Sequence, residues 1–207
     1  TARGILRVLT NPQLLLALLV TALGYGGTFV AYTYLSPLLE QSMGWSASAV
    51  VVILVVYGLM VALGNTLGGR WANKRPLVAL FKMFVGLLIT LLVLAFTAHS
   101  HWLGLFTVLA MGIFAFMNVP GLQLYIVQLA EVHTPQDITM ASALNISAFN
   151  VGIALGSGIV GQVTTQFGLA WTPVFGALMV AVSLVLLAGL IWLARPVDEE
   201  TPEDCED

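Results

Sequence analysis

The chain has 207 residues, of which 59% are hydrophobic and only 8% are charged, and its formal net charge is −3. A soluble domain carries roughly 25% charged residues, so this composition excludes a disordered chain, a nucleic-acid-binding protein and most soluble enzymes. Four stretches contain no charged residue: 8–39, 41–69, 83–130 and 138–194. Each is long enough for at least one helix that crosses a bilayer, which takes about 20 apolar residues.

These stretches predict six transmembrane helices, because the last two are each long enough for two helices and have a polar break near the middle. The predicted helices cover residues 12–39, 48–70, 77–97, 103–129, 139–162 and 173–194. Residues 1–11 are predicted to be a cytoplasmic linker segment. Residues 195–207, with seven acidic residues and one basic residue, are predicted to be an acidic cytoplasmic tail. The fold class is therefore an all-α membrane protein.

The basic residues predict how the bundle is oriented. With six helices, all seven fall on one side of the membrane: Arg3, Arg7, Arg70, Lys74, Arg75, Lys82 and Arg195. The connections on the other side, residues 40–47, 98–102 and 163–172, have no Lys or Arg. By the positive-inside rule, both ends of the chain are cytoplasmic. The five tryptophans all fall at predicted helix ends, where indole rings anchor at the interface: Trp45, Trp71, Trp102, Trp171 and Trp192.

Polar residues divide the six helices into two kinds. The first, second, fourth and fifth contain Tyr, Asn or Gln in their interiors, and the third and sixth contain none. Amides are costly in hydrocarbon, so they are expected to face protein or a wet cavity. The order is therefore two cavity-lining helices and one lipid-facing helix, repeated once. This order predicts a three-plus-three inverted repeat, as some secondary transporters have.

The first predicted helix has the best polar stripe of the chain. At 100° per residue its members lie within about 80° of one another: Thr21, Tyr25, Thr28, Tyr32 and Ser36. Tyr rings can stack on a ligand, and their hydroxyls can hydrogen-bond it. The stripe therefore predicts a cavity wall; the alternative is a seam between helices whose hydroxyls are satisfied. Because about 28 residues are more than a ~30 Å core needs, flexing points are expected at Gly24, Gly26, Gly27 and Pro37.

The fourth predicted helix combines amides with a proline. Asn118, Gly121, Tyr125 and Gln128 share an arc of about 80°, with Gln123 off it. Pro120 removes one backbone hydrogen bond and is expected to kink the helix. These features predict a moving gate; the alternative is a static kink with structural amides.

The fifth predicted helix carries Ala148, Gly152 and Gly156 at four-residue spacing. Small residues at this spacing let helix backbones approach closely, so a packing role is favoured. Asn145 shares their face. Gly156–Gly161 fits a dinucleotide-binding pattern but follows no strand, so that reading is rejected.

Several kinds of chemistry have no residues to support them. His99, His101 and His133 are expected in loops, so neither a metal site nor a cofactor is predicted. No nucleophile–base pair is evident, so the chain is not expected to be an enzyme. Acidic residues near the membrane, Glu40 and Glu131, lie at predicted helix ends. A proton-coupled carrier usually needs a titratable group within the membrane, and this chain supplies none there.

Three segments carry a resemblance to a known family. They are Gly64–Arg70 leading to Lys74-Arg75-Pro76, Leu122–Gln128, and Ala148–Gly152. Together they resemble the C-terminal half of a bacterial major facilitator transporter, in particular the arabinose/sugar efflux permeases of the drug:proton antiporter group. The chain departs from the family's basic loop motif at Gly69, where an Asp is expected.

The resemblance implies a protein of twelve helices in the bacterial inner membrane, with these six as helices seven to twelve. Helices seven, eight, ten and eleven would line the central cavity. The implied function is export of a small molecule, sugar-like or drug-like, by alternating access with proton coupling. Besides the substrate, the implied partners are the lipid bilayer and an N-terminal six-helix half.

The residues expected to contact the substrate are Tyr25, Thr28, Tyr32, Asn118 and Tyr125. The residues expected to serve gating or packing are Arg70, Lys74, Arg75, Pro120, Gly152 and Gly156. Two alternatives stay open: a truncated or accessory six-span protein without transport of its own, or a six-span carrier that acts as a dimer.

Overall fold

A computed structural model describes the backbone of residues 1–198 and the side chains of residues 1–193. This part of the chain is almost entirely helical and contains no strand. Its α-helices are α1 (Ala2–Thr10), α2 (Pro12–Tyr32), α3 (Leu35–Pro37), α4 (Ala47–Ala72), α5 (Pro76–Thr97), α6 (His101–Ala115), α7 (Val119–His133), α8 (Ile138–Gln166) and α9 (Thr172–Asp198). A π-helical turn, Leu38–Ser42, and two 3₁₀ turns, Pro135–Asp137 and Leu169–Trp171, connect them. Most of the predicted acidic tail, residues 199–207, lies outside the described residues.

Within the described residues, six helical segments are long and apolar enough to cross a membrane. They are Pro12–Tyr32, Ala47–Ala72, Pro76–Thr97, His101–His133, Pro135–Gln166 and Leu169–Leu193. The prediction of an all-α membrane protein with six transmembrane helices is confirmed.

The first transmembrane segment is shorter than the predicted helix over residues 12–39. Helix α2 ends at Tyr32, and Thr33 and Tyr34 form a turn before α3. Pro37 has no N–H to donate to the Thr33 carbonyl four residues earlier, so a regular helix cannot continue there. The Thr33 hydroxyl also donates to the Phe29 carbonyl at 2.6 Å. Helix α2 runs unbroken through Gly24, Gly26 and Gly27, and the interruption of this segment lies just before Pro37, the other expected flexing point.

The fourth segment is interrupted, where one helix over residues 103–129 was predicted. Helix α6 ends at Ala115 and α7 begins at Val119, so Phe116–Asn118 form a break just before Pro120. Pro120 cannot donate to the Phe116 carbonyl. That carbonyl accepts instead from the Val119 N–H, at 3.3 Å.

Two features of the helix ends were not predicted: a short helix precedes the first span, and two histidines lie inside helices. Residues 1–11, predicted as a linker, contain the regular helix α1, in which Gly4 and Val8 are buried and Leu6 is 61% exposed. The polar break between the third and fourth segments is shorter than predicted. His101 is the first residue of α6, and His133 is the last residue of α7, so neither lies in a loop.

Helix α2 forms the centre of the bundle, packed mainly against α8 and α9. Glycines allow this packing. A Cβ at Gly26 would lie 2.7 Å from the Gly152 carbonyl oxygen of α8, and one at Gly27 would lie 2.7 Å from the Gly176 carbonyl oxygen of α9. Gly152 and Gly156 of α8 face α2 in return, against the carbonyls of Ala22 and Gly26. The backbones of α2, α8 and α9 are therefore in direct contact.

Candidate functional site

Six aromatic side chains from four parts of the bundle meet in what we call the aromatic cluster. It comprises Tyr25, Phe29 and Tyr32 of α2, Tyr57 of α4, Phe116 of the α6–α7 break and Phe149 of α8. The three members from α2 follow one another at spacings of four and three residues, which places them on one face of that helix.

The geometry of the aromatic cluster is mostly edge-to-face. The ring of Tyr25 lies 4.8 Å from that of Phe149, at 82°. It lies 5.7 Å from the ring of Phe116, at 79°. Tyr32 and Tyr57 are stacked instead, with ring centroids 5.7 Å apart and planes 24° apart.

Exposure within the aromatic cluster differs from ring to ring. Tyr25 is 9% exposed and Tyr57 is 3% exposed, whereas Tyr32 is 38% exposed. Tyr32 is therefore the exposed member of the cluster. The buried ring of Tyr57 stacks on it, and the partly buried rings of Phe29 and Phe116 pack against it edge-to-face.

The structure does not place the five predicted substrate contacts on one surface. Thr28 and Asn118 are both fully buried. Within the described residues, the Thr28 hydroxyl and the Asn118 side-chain oxygen lack a hydrogen-bond partner. The Asn118 amide donates weakly to the Ala115 carbonyl, at 3.4 Å. Tyr125 is buried on α7, two turns beyond Asn118.

A buried polar network joins α2, α7 and α8, and sequence reasoning did not assemble it. The Thr21 hydroxyl donates to the Asn145 side-chain oxygen at 2.7 Å. The Asn145 amide donates to the Gln123 side-chain oxygen at 2.9 Å, and the Gln123 amide donates to the Ser142 hydroxyl. The sequence placed Gln123 off the cavity arc. The sequence offered one indication of this network: an amide within an apolar helix needs a polar partner, so Gln123 and Asn145 were candidates to bond each other.

A second polar contact ties α1 to the turn between α7 and α8. The Arg7 guanidinium donates from Nε to one Asp137 carboxylate oxygen at 2.6 Å and from a terminal nitrogen to the other at 3.0 Å. The pKa of Arg7 is raised, and its side-chain hydrogen bond with Asp137 is the largest cause. Nearby, His133 and Gln13 form a side-chain hydrogen bond of 2.7 Å. The sequence analysis used Arg7 only as an orientation signal.

The predicted cytoplasmic anchors Arg70, Lys74 and Arg75 lie together at the end of α4 and the start of α5. All three side chains are exposed, and they line a cavity of about 690 Å³. In the described part of the chain, the ion pair of Arg7 with Asp137 is the only one, so none of these three cations is paired with a carboxylate.

Residues 2–134 of the chain match the Major Facilitator Superfamily. The chain belongs to this superfamily. Because it is a family of transporters, the chain is not an enzyme, as the sequence predicts.

Curated relatives are bacterial transporters. The chain is 53% identical over 200 residues to the uncharacterized MFS-type transporter YtbD of Bacillus subtilis (strain 168), a match that covers 97% of this chain and 50% of the relative. It is 31% identical over 185 residues to a probable sugar efflux transporter of Pasteurella multocida (strain Pm70), covering 88% and 44%. It is 30% identical over 200 residues to a chloramphenicol resistance protein of Streptomyces lividans, covering 93% and 49%. The chain therefore spans about half the length of the curated relatives it matches.

The aromatic cluster draws on the helices that the superfamily resemblance assigns to the cavity. Its rings come from α2, α4, the α6–α7 break and α8, the segments that the resemblance implies line the cavity. The described residues of α5 and α9 contribute no ring to the cluster, which agrees with their apolar interiors.

Proposed function

We propose that this chain is the C-terminal half of a secondary transporter that exports a small, uncharged molecule by alternating access. The observation that carries the proposal is the aromatic cluster. Four helices supply it, and the half-exposed Tyr32 forms its open edge. Aromatic rings stack on the apolar faces of sugars and on planar drug-like molecules, and Tyr hydroxyls hydrogen-bond their polar groups.

The aromatic cluster itself contains no charged side chain, which supports an uncharged substrate. Its six rings carry no ionised group at neutral pH, and the polar network beside α2 consists of hydroxyls and amides. The names of two relatives, a probable sugar efflux transporter and a chloramphenicol resistance protein, fit such a substrate. Proton coupling is part of the proposal, and its titratable group is assigned to the other half, since the described spans hold no mid-membrane Asp or Glu.

The proposal also assigns the faces that meet the other half. Helices α4 and α8 are the least buried spans, with 22% and 28% of their most apolar stretches buried within the described chain. Glycines on both helices face open space: Gly58 on α4, and Gly158 and Gly161 on α8. Such residues let another helix backbone approach closely. A second copy of this chain, the dimer alternative, would use the same faces.

We further propose that the protein lies in a bacterial cytoplasmic membrane with both ends of this segment on the cytoplasmic side. The support is the distribution of Lys and Arg, which places all seven at the same ends of the helices.

Transport by the protein at its native length tests the substrate site. A double variant, Tyr25→Phe with Tyr32→Phe, keeps both rings but removes two hydroxyls. We expect transport of the substrate to fall about tenfold, since each hydrogen bond lost contributes about 0.5–1.5 kcal/mol. Folding is expected to be unaffected, because the packing of the rings is retained.

Tyr34→Phe is the matched control. Tyr34 lies in the turn after α2 and outside the aromatic cluster. The assay measures efflux from cells or uptake into everted vesicles across a panel of neutral sugars and neutral aromatic drugs. Wild-type transport by the double variant, or an equal loss in Tyr34→Phe, would refute the assignment. No transport of any panel member by the native-length protein would favour the accessory-protein alternative.

A further inference from the structure

A basic cavity lies at the end of the bundle where α4 gives way to α5. Its volume is about 690 Å³, and Arg70, Lys74, Arg75 and Lys82 line it. Four of the seven Lys and Arg residues of the chain thus face one space. None of the residues that line it is acidic.

The positive charge of this cavity is not neutralised from within the described chain. The ion pair found there, Arg7 with Asp137, involves none of the four cations. Like charges around one cavity repel each other, so an anion bound among them would relieve that repulsion. A phosphate group suits such a site, because Arg binds it through two parallel hydrogen bonds and Lys binds it as a point charge.

The rest of the wall is apolar. Met83, Phe114 and Met117 line the cavity together with the four cations, and the first and last of these are 1% exposed. Trp71 and Val78 line it where the surface is open, and they are 56% and 41% exposed. A free phosphate ion would use only the basic side chains of the wall, whereas a molecule with an anionic head and a hydrocarbon chain would contact both its basic and its apolar side chains.

We propose that this cavity binds an anionic phospholipid, with its phosphate among Arg70, Lys74, Arg75 and Lys82 and an acyl chain along Met83 and Phe114. Basic pockets between transmembrane helices on the cytoplasmic side are suited to anionic headgroups. The exposed Trp71 lies where an indole ring anchors at the headgroup level. The proposal requires only that α4 and α5 cross a membrane, and it does not depend on the transported substrate.

Lipid binding to the purified, delipidated protein at its native length tests this proposal. Native mass spectrometry measures the affinities for dioleoyl phosphatidylglycerol and dioleoyl phosphatidylcholine, which differ in headgroup charge but not in acyl chains. We expect tighter binding of phosphatidylglycerol. We expect Lys74→Gln and Lys82→Gln each to weaken it about fivefold, the effect of one cation beside an anionic lipid, and to leave phosphatidylcholine binding unchanged.

Arg3→Gln is the control, because it removes an exposed cation of α1 that does not line the cavity. It is expected to leave both affinities unchanged. Equal affinity for the two lipids would overturn the proposal, as would a loss in Arg3→Gln equal to that in Lys74→Gln, which would indicate a general surface field.

Two further outcomes identify a different occupant. Complete displacement of phosphatidylglycerol by millimolar inorganic phosphate would overturn the proposal in favour of a simple anion site. A failure of the wild-type protein to bind phosphatidylglycerol, with a cross-link from Lys82 to an acidic stretch of protein, would overturn it in favour of a protein segment.

Discussion

Two faces of helix α8 carry the same kinds of residue but meet different surroundings. On the inner face, Gly152 lies against the backbone of α2, and Asn145 is fully buried in a hydrogen-bonded network. On the outer face, Gly158 has nothing within contact distance, and Asn150 is exposed and donates only to its own helix, at the Ile146 carbonyl. Glycines and amides in an apolar helix therefore do not by themselves reveal which face is already packed.

The comparison fits the proposal that another helix packs on the outer face of α8. An amide that reaches only its own helix, and glycines that face open space, give no advantage against lipid tails. Both become useful when another helix packs there. The inner face holds this half together, and the outer face is proposed to join it to the other half.

The largest expected effect comes from adding the same side chain to each face. Gly152→Val would force a β-branched side chain into the carbonyl of Ala22 on α2. We expect it to destabilise the protein by about 3 kcal/mol or more, the upper range for overpacking, and to prevent stable expression. Thermal unfolding of the detergent-solubilised, native-length protein measures this effect.

Gly158→Val is the matched change on the outer face of the same helix. It is expected to leave this half folded but to weaken its contact with the other half, which cysteine cross-linking between the halves can follow. Equal destabilisation by the two variants would show that the inner and outer faces do not differ as described.

The sequence predicts the membrane helices better than it predicts their interruptions, because hydropathy and backbone hydrogen bonding are different properties. The long uncharged stretches predicted six membrane helices, because hydropathy is a property of each segment alone. Pro37 and Pro120 indicated a flexing point and a kink, but not that the helices end at Tyr32 and Ala115, since hydropathy does not report which backbone hydrogen bonds are made.

The candidate site was predictable only within one helix. Tyr25 and Tyr32 were recognised as one face of α2, because residues on a single helix have a fixed angular relation. Their neighbours Tyr57, Phe116 and Phe149 come from three other segments, and that meeting depends on tertiary packing. The arc drawn through Asn118 and Tyr125 assumed one continuous helix, and the break before Val119 removes that assumption.

A smaller effect is expected from the two amides of α8. Asn145→Ala removes the group that connects Thr21 to Gln123, so the Thr21 hydroxyl and the Gln123 side-chain oxygen each lose the hydrogen bond to Asn145. We expect a loss of about 1 kcal/mol, because hydrogen bonds between transmembrane helices contribute only about 0.6 kcal/mol on average and rarely more than 1.7. Thermal unfolding measures the loss.

Asn150→Ala is the control on the outer face, where the amide bonds only within its own helix. We expect no change in unfolding temperature. A larger loss in Asn150→Ala than in Asn145→Ala would place the important amide on the outer face and reverse the comparison.

The smallest effect is expected from two carboxylates near the α7–α8 connection, one of which is buried and paired while the other is exposed. Asp137 is 8% exposed and accepts both hydrogen bonds from Arg7, whereas Glu131 near the end of α7 is exposed and has no ion-pair partner within the described residues. Asp137→Asn removes the charge of this contact and is expected to release α1 while leaving the six spans intact. Hydrogen–deuterium exchange measures this as faster exchange of the α1 amides, with little change in unfolding temperature.

Glu131→Gln, which also removes one negative charge from the same end of the bundle, is expected to leave α1 unchanged. If both variants accelerate exchange equally, the local negative charge holds α1 in place, and the two-bond contact between Arg7 and Asp137 does not.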